Sequence, residues 1–160
     1  MAVPVIIPEH LKKKPIESAI ETLPGVFHSL NWGGPIEQDL LKSLIEIARE
    51  NLNNKARFCL HPNPSDLLQI TYLAFVNPYL DRIHKHPDKI EVIVPIRGQA
   101  IHNTYDSSGK VIRNLKLDSS NPVALSTTPG SWHGIEILSE NFVMLEIGAG
   151  PFLPTSTIFM

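Results

Sequence analysis

The stretch IHKHPDKIEVIVPIRG, residues 83–98, decides how the rest of the chain is read. His84 and His86 are two apart, so on a β-strand both point to the same face. Pro87-Asp88-Lys89 suits a turn. Glu91 then opens an apolar run, residues 90–96, rich in β-branched side chains, that reads as a buried strand. Two imidazoles from one strand and a carboxylate from the next can converge on one point. Nitrogen and oxygen donors of this kind suit a divalent metal ion. The best fourth donor elsewhere is His133, in TTPGSWHGIEIL, where Pro129-Gly130 makes a turn and Trp132 begins another strand. Three imidazoles and a carboxylate accept Fe(II), Mn(II), Co(II), Ni(II) or Zn(II). The expectation is one such ion, with coordination positions left open for water or substrate.

Working outward, the sequence from Ala56 onward is a succession of short β-type segments. Residues 57–61, 68–76, 79–84, 90–97, 99–105, 110–117, 123–126, 132–138 and 141–147 read as strands separated by Asn, Pro, Gly and Ser. Asp106-Ser107-Ser108-Gly109 reads as a hairpin turn. Many short strands at near-regular spacing indicate an antiparallel sandwich or barrel of about residues 56–150. Ahead of it, Ile36, Leu40, Leu41, Leu44, Ile45, Ala48 and Leu52 recur at three-and-four spacing and predict an amphipathic helix over residues 36–52. Residues 1–35 differ in texture, with five prolines and three glycines among short apolar pieces. They read as an extended arm with a brief helix over residues 16–23. Prolines suit an edge or crossing segment. The arm's Val3, Val5, Ile6, Ile7, Leu23, Val26 and Phe27 need a surface, so a homodimer is expected.

Composition narrows the class. The chain has 160 residues, 42% hydrophobic and 19% charged, with a net charge of −2. It is expected to be globular, with a domain at residues 36–160 behind the arm. It carries no basic face of the kind nucleic-acid binders show. No apolar run is long enough for a bilayer. The single cysteine, Cys59, excludes an intramolecular disulfide. The apolar start is broken by Pro4 and Pro8, with lysines after it rather than before, unlike a signal peptide. A cytoplasmic protein is expected, with no nucleic-acid or membrane partner.

The pattern H-x-H-x4-E-x6-G over His84, His86, Glu91 and Gly98, followed by the P-G-x-x-H turn ending at His133, resembles the two motifs of the cupin superfamily. The wider pattern resembles the WbuC-type cupin-fold metalloproteins. It comprises R-x-x-x-H from Arg57 to His61, the Pro-flanked HxH, D-x-x-G-K from Asp106 to Lys110 and the late PGxWH. The resemblance spans about residues 36–152. It implies a mainly β fold, an antiparallel double-stranded β-helix or jelly-roll barrel, with His84, His86, Glu91 and His133 on the metal. Arg57, His61, Gln69 and Tyr79 match polar positions of the WbuC-type pattern and become candidate substrate contacts. The family's link to surface polysaccharide implies a small, polar, sugar-derived ligand.

A neutral three-histidine shell with one carboxylate leaves about one net positive charge on a divalent ion, which favours an anionic ligand. An arginine near that ion would add a bidentate anchor. Two functions fit these residues. One is a metal-dependent enzyme. The other is a non-catalytic, metal-dependent binding or sensing module. The sequence shows no acid–base pair beyond the metal set.

Overall fold

The computed structural model describes residues 19–33, 38–79 and 81–160. In chain order its elements are β1 (Ala19–Leu23), β2 (Val26–Ser29), α1 (Gln38–Glu50), β3 (Lys55–Cys59), β4 (Leu68–Val76), β5 (His84–Lys85) and β6 (Glu91–Arg97). They continue with β7 (Gln99–Tyr105), β8 (Val111–Asp118), β9 (Leu125–Ser126), β10 (Trp132–Ile137), β11 (Asn141–Ala149) and β12 (Ile158–Phe159). The strands form two sheets. One has the order β1-β2-β3-β4-β11-β6-β9, the other β12-β5-β10-β7-β8. Pairing is antiparallel except between β2 and β3, which run parallel. The double-sheet β fold expected from the strand spacing is present, as two open sheets face to face rather than a closed wall.

Alternation along the seven-stranded sheet sends its side chains into two cores. Ala56, Phe58, Ala74, Val76 and Val143 point outward and are covered by Leu41, Leu44, Ile45 and Ala48 of α1. Their spacing in α1 is i, i+3, i+4, i+7, one face of a helix. Asp39 in its first turn and Arg49 in its last complement the helix dipole. Leu41, Leu44 and Ile45 are each at most 5% exposed, a burial on the order of 2 kcal/mol apiece before entropy. Leu44→Ala would cost about 2–5 kcal/mol. The opposite face meets the five-stranded sheet through Leu73, Phe75, Ile93, Phe142 and Met144 against Ala100, Leu117, Ile135 and Ile137.

Gly98 is the corner at which the chain passes from one sheet to the other, between β6 and β7. Its φ is +78°, and a Cβ there would collide with the Asn141 carbonyl oxygen and Ser139 Oγ. That is why the first motif needs glycine seven residues after its carboxylate, Glu91.

Two expectations change. Residues 19–23 are a strand, β1, rather than the end of a helix. Pairing with β2, which is itself held by β3, outweighs local helix preference. Of the strand expected over residues 79–84, the described residues 79 and 81–83 are not in a strand, residue 80 lies outside the described residues, and His84–Lys85 pair with β10 on one side and β12 on the other. Of the arm's described residues, β1 and β2 extend the seven-stranded sheet, and Phe27 packs on the α1 core. Residues 1–18 and the boundary expected at residue 35 lie outside the described residues, as do the first residues of the expected helix. Among the described residues, no helix is long and apolar enough to cross a membrane.

Candidate metal centre

The four residues expected at a metal come together at one end of the space between the sheets. His84 in β5 is in register with His133 in β10. Glu91 opens β6 in the opposite sheet. The ligand atoms of His84, His86 and His133 lie within 4.8 Å of one another. Glu91 Oε1 is 3.0 Å from His86 Nε2, and Oε2 is 3.6 Å from His133 Nε2. Backbone bonds lock the loops that carry them. Gly130 donates to the His86 carbonyl (2.8 Å) and Thr127 to the Glu91 carbonyl (2.8 Å). The second-motif turn is thereby fastened directly to the first motif.

The ring orientations suit a cation. His84 Nδ1 is 2.7 Å from the Arg82 carbonyl, His86 Nδ1 is 2.9 Å from that of Ser156, and His133 Nδ1 is 2.9 Å from that of Ser131. A carbonyl only accepts, so each Nδ1 carries the ring proton and each neutral ring presents an Nε2 lone pair. Those of His86 and His133 face the Glu91 carboxylate, acceptor against acceptor. Such convergence is favourable only with a positive charge among them, either protons on the rings or a metal ion. Burial pulls His84 below the ordinary imidazole value. Burial also pulls on His133, but the Glu91 contact and the Ser131 carbonyl outweigh it and hold that ring above its usual value. Burial raises Glu91, and the neighbouring His133 and His86 outweigh it and hold its carboxyl low. The donor set therefore fits a divalent ion, with His84, His86, His133 and Glu91 as its holders.

A fourth histidine stands beside them. His102 in β7 stacks on His133, with ring centroids 5.5 Å apart and an interplanar angle of 17°. It is 5% exposed, and its Nε2 is buried without a hydrogen-bond partner. Burial and the His133 charge bring its pKa down to about 4. An orphaned buried nitrogen costs about 1–3 kcal/mol and is a signature of a site that awaits something.

The candidate substrate residues divide. Arg57 is in register with Leu73 of the inter-sheet core, so it lies on the inward face of β3. Its charge is felt by Tyr79, Lys55 and Glu146. Tyr79 donates to Asp81 Oδ1 (2.9 Å) and packs on Phe75. Burial and the Asp81 charge push its hydroxyl pKa up. Gln69 donates to the Pro64 and Asp66 carbonyls (3.2 and 2.7 Å), closing the loop before β4. His61 is buried beside His28 and Cys59, apart from the three-histidine group.

Sequence reasoning passed over Lys55 and Glu146. Both share the inward face with Arg57, since Lys55 is in register with Phe75, and Glu146 with Thr71 and Ile93. Burial and the Glu91 charge push Glu146 up to about 7, and burial with the nearby Arg57 brings Lys55 down to about 8. One signal was available: Glu146 is a lone charge inside the apolar run FVMLEIGA. The tail was also unread. Its 3-10 turn Pro154–Ser156 supplies the carbonyl that orients His86, and Phe159 of β12 lies against His84 (6.0 Å).

Facing sheets with an imidazole and carboxylate cluster at one open end define a cupin-fold protein with a candidate metal centre. The chain belongs to the family described as Domain of unknown function (DUF6016), whose model matches residues 36–117. No curated protein matches its sequence. Among solved structures it is similar to the capsular polysaccharide assembling protein CapF from Staphylococcus aureus, at 16% identity and a TM-score of 0.58, over 77% of this chain and 37% of that one. It is similar to the oxalate decarboxylase–formate complex of Lactobacillus farciminis, at 15% identity and a TM-score of 0.51, over 66% and 31%. It also matches the oxalate decarboxylase of Bacillus subtilis, a protein with Mn(II) centres, at 18% identity and a TM-score of 0.50, over 59% and 24%. These are cupin-fold proteins, and at such identities the likeness is one of fold. The chain spans about a third of the length of the first structures it matches.

Proposed function

We propose that this chain is a cytoplasmic, metal-dependent cupin enzyme of the WbuC type that acts on a small anionic molecule, sugar-derived in the reading we favour. The observation that carries the proposal is the clustering of three imidazoles within 4.8 Å of one another, two of them against the Glu91 carboxylate, with every Nδ1 tied to a carbonyl. A bound divalent ion would supply Lewis acidity toward an oxygen of the ligand. The chain's own residues supply the rest. Arg57 and Lys55 offset the charge of an anion on the inward face, and Arg57 provides a fork for a carboxylate or phosphate. Glu146, with a pKa near neutrality, takes up or gives a proton at its carboxylate, and Lys55 is its nearest basic counterpart in pKa. Tyr79, fixed by Asp81, accepts from Lys55 Nζ (3.4 Å) and holds that ammonium in place.

The polysaccharide association of CapF and the motif resemblance support a sugar acid or nucleotide sugar as the ligand. The exposed apolar residues of β1, Ile20 and Leu23, support a homodimer through that sheet edge. The discriminating experiment loads metal-free protein with Mn(II), Fe(II) or Zn(II). It then screens sugar acids, nucleotide sugars and simple carboxylic acids by thermal shift, and assays the binders for turnover and, with Fe(II), oxygen uptake. Turnover by the loaded protein supports the enzyme. Metal-dependent binding with no turnover by any ion favours the binding module. Absence of metal uptake ends both readings.

A further inference from the structure

The same inward face carries a second group of ligand-type side chains that the proposed function does not use. His28 in β2 is in register with Cys59 in β3. His61 follows just beyond the end of β3, and its ring meets that of His28 edge-on, with centroids 5.2 Å apart. One ligand atom from each of the three lies within 4.8 Å of the others. They are 8%, 5% and 3% exposed.

Their surroundings are those of a site. His28 Nδ1 is 3.1 Å from the His61 carbonyl, so that ring keeps its proton on Nδ1 and presents Nε2. His61 Nδ1 lies between the carbonyl and the N–H of Ile70, at 3.1 and 3.0 Å. A cation at Nε2 selects the tautomer that donates to the carbonyl. Thr71 Oγ1 donates to Cys59 Sγ (3.7 Å), a contact that supports a thiolate. Burial pushes the Cys59 thiol up and pulls His61 down, so without a cation these two are held toward their neutral forms.

We infer that His28, Cys59 and His61 form a second metal site, for a borderline divalent ion of the zinc type, with a fourth position open to solvent or ligand. Thiolate and imidazole are the donors such ions prefer. Metal bonds of about 2.1 Å to nitrogen and 2.3 Å to sulfur put tetrahedral ligands roughly 3.3–3.6 Å apart. Closing the cluster needs an ångström or so of side-chain movement. Binding displaces the Cys59 proton to solvent and leaves the thiolate neutralised by the ion. Cys59 is in register with Thr71, Thr71 with Glu146, and Glu146 with Ile93. The second site therefore sits three strand spacings, about 14 Å, from the strand that carries Glu91. Glu146 lies between the two centres.

Cobalt titration of the metal-free, full-length chain under anaerobic conditions tests this. Cobalt held by His84, His86, His133 and Glu91 sees no sulfur. Only the Cys59 site can give the intense near-ultraviolet thiolate-to-cobalt charge-transfer absorption. The expected result is about two cobalt ions per chain, with that absorption saturating at about one. His86→Ala should lose one ion and keep the absorption, and Cys59→Ser should lose one ion and all of it. Cobalt binding by the unmodified chain with no charge-transfer absorption overturns the proposal, however the variants fold. An absorption that survives in the His28→Ala, His61→Ala double variant overturns the three-residue set. An unmodified chain that binds about one cobalt with the absorption intact removes the first centre and leaves the second.

Discussion

Replacing His86 by alanine tests the first centre most directly, because the structure separates what the ring does for the metal from what it does for the fold. In the metal-free chain His86 Nδ1 donates to the Ser156 carbonyl, lies 3.3 Å from Thr157 Oγ1, and the ring faces Glu91. Losing that bond costs about 1 kcal/mol, or roughly 2–4 °C in midpoint for a chain of this size. Metal binding is a larger effect. At about 1,000 times its dissociation constant an ion stabilises the native state by about 4 kcal/mol, which is roughly 8–16 °C. Without His86 one of four protein donors is gone and the metal-induced rise should largely vanish at the same concentration. Thermal melts of both proteins, metal-free and with a thiol-indifferent ion such as Mn(II), give the four midpoints needed. A variant that keeps the full metal-induced rise would refute the reasoning. So would a variant unfolded without metal, since the two apolar cores should hold the sheets without it.

Three further outcomes are expected. Removing residues 154–160 deletes the carbonyl that orients His86 and should weaken metal affinity about 10–100-fold, as loss of such an outer contact does; competition with a chelator measures it. Arg57→Lys should weaken a carboxylate or phosphate ligand by about 1–3 kcal/mol while metal content stays the same, read by calorimetry and elemental analysis. The metal-free chain should lose stability on acidification. His102 has a folded pKa of about 4 against 6.5, so the unfolded chain takes up the proton first. The loss begins as pH falls through 6.5 and is complete below about 4, approaching 3 kcal/mol from this residue. His84 and His61, also lowered, act in the same direction. Urea midpoints at pH 7 and pH 5 check it, with His102→Phe expected to flatten the difference.

Much of the fold was legible because strands announce themselves locally. The run from Leu68 to Val76 is bounded in the structure as its β-type residues suggest, and the α1 stripe buries the residues its period selects. The clustering of His84, His86, Glu91 and His133 was legible for a related reason. A two-residue interval on a strand fixes a shared face, and Gly98 marks the corner that sends β6 and β7 into different sheets. Sequence distance, by contrast, says nothing about which strands become neighbours. Only the tertiary register placed Glu146 opposite Ile93 and turned Lys55 inward beside Tyr79. Only the parallel pairing of β2 with β3 set His28 beside Cys59, and a contact across 31 residues leaves no local period to read. The tail lacked any pattern because its task is a backbone one. The Ser156 carbonyl that orients His86 would be there whatever side chain residue 156 carried.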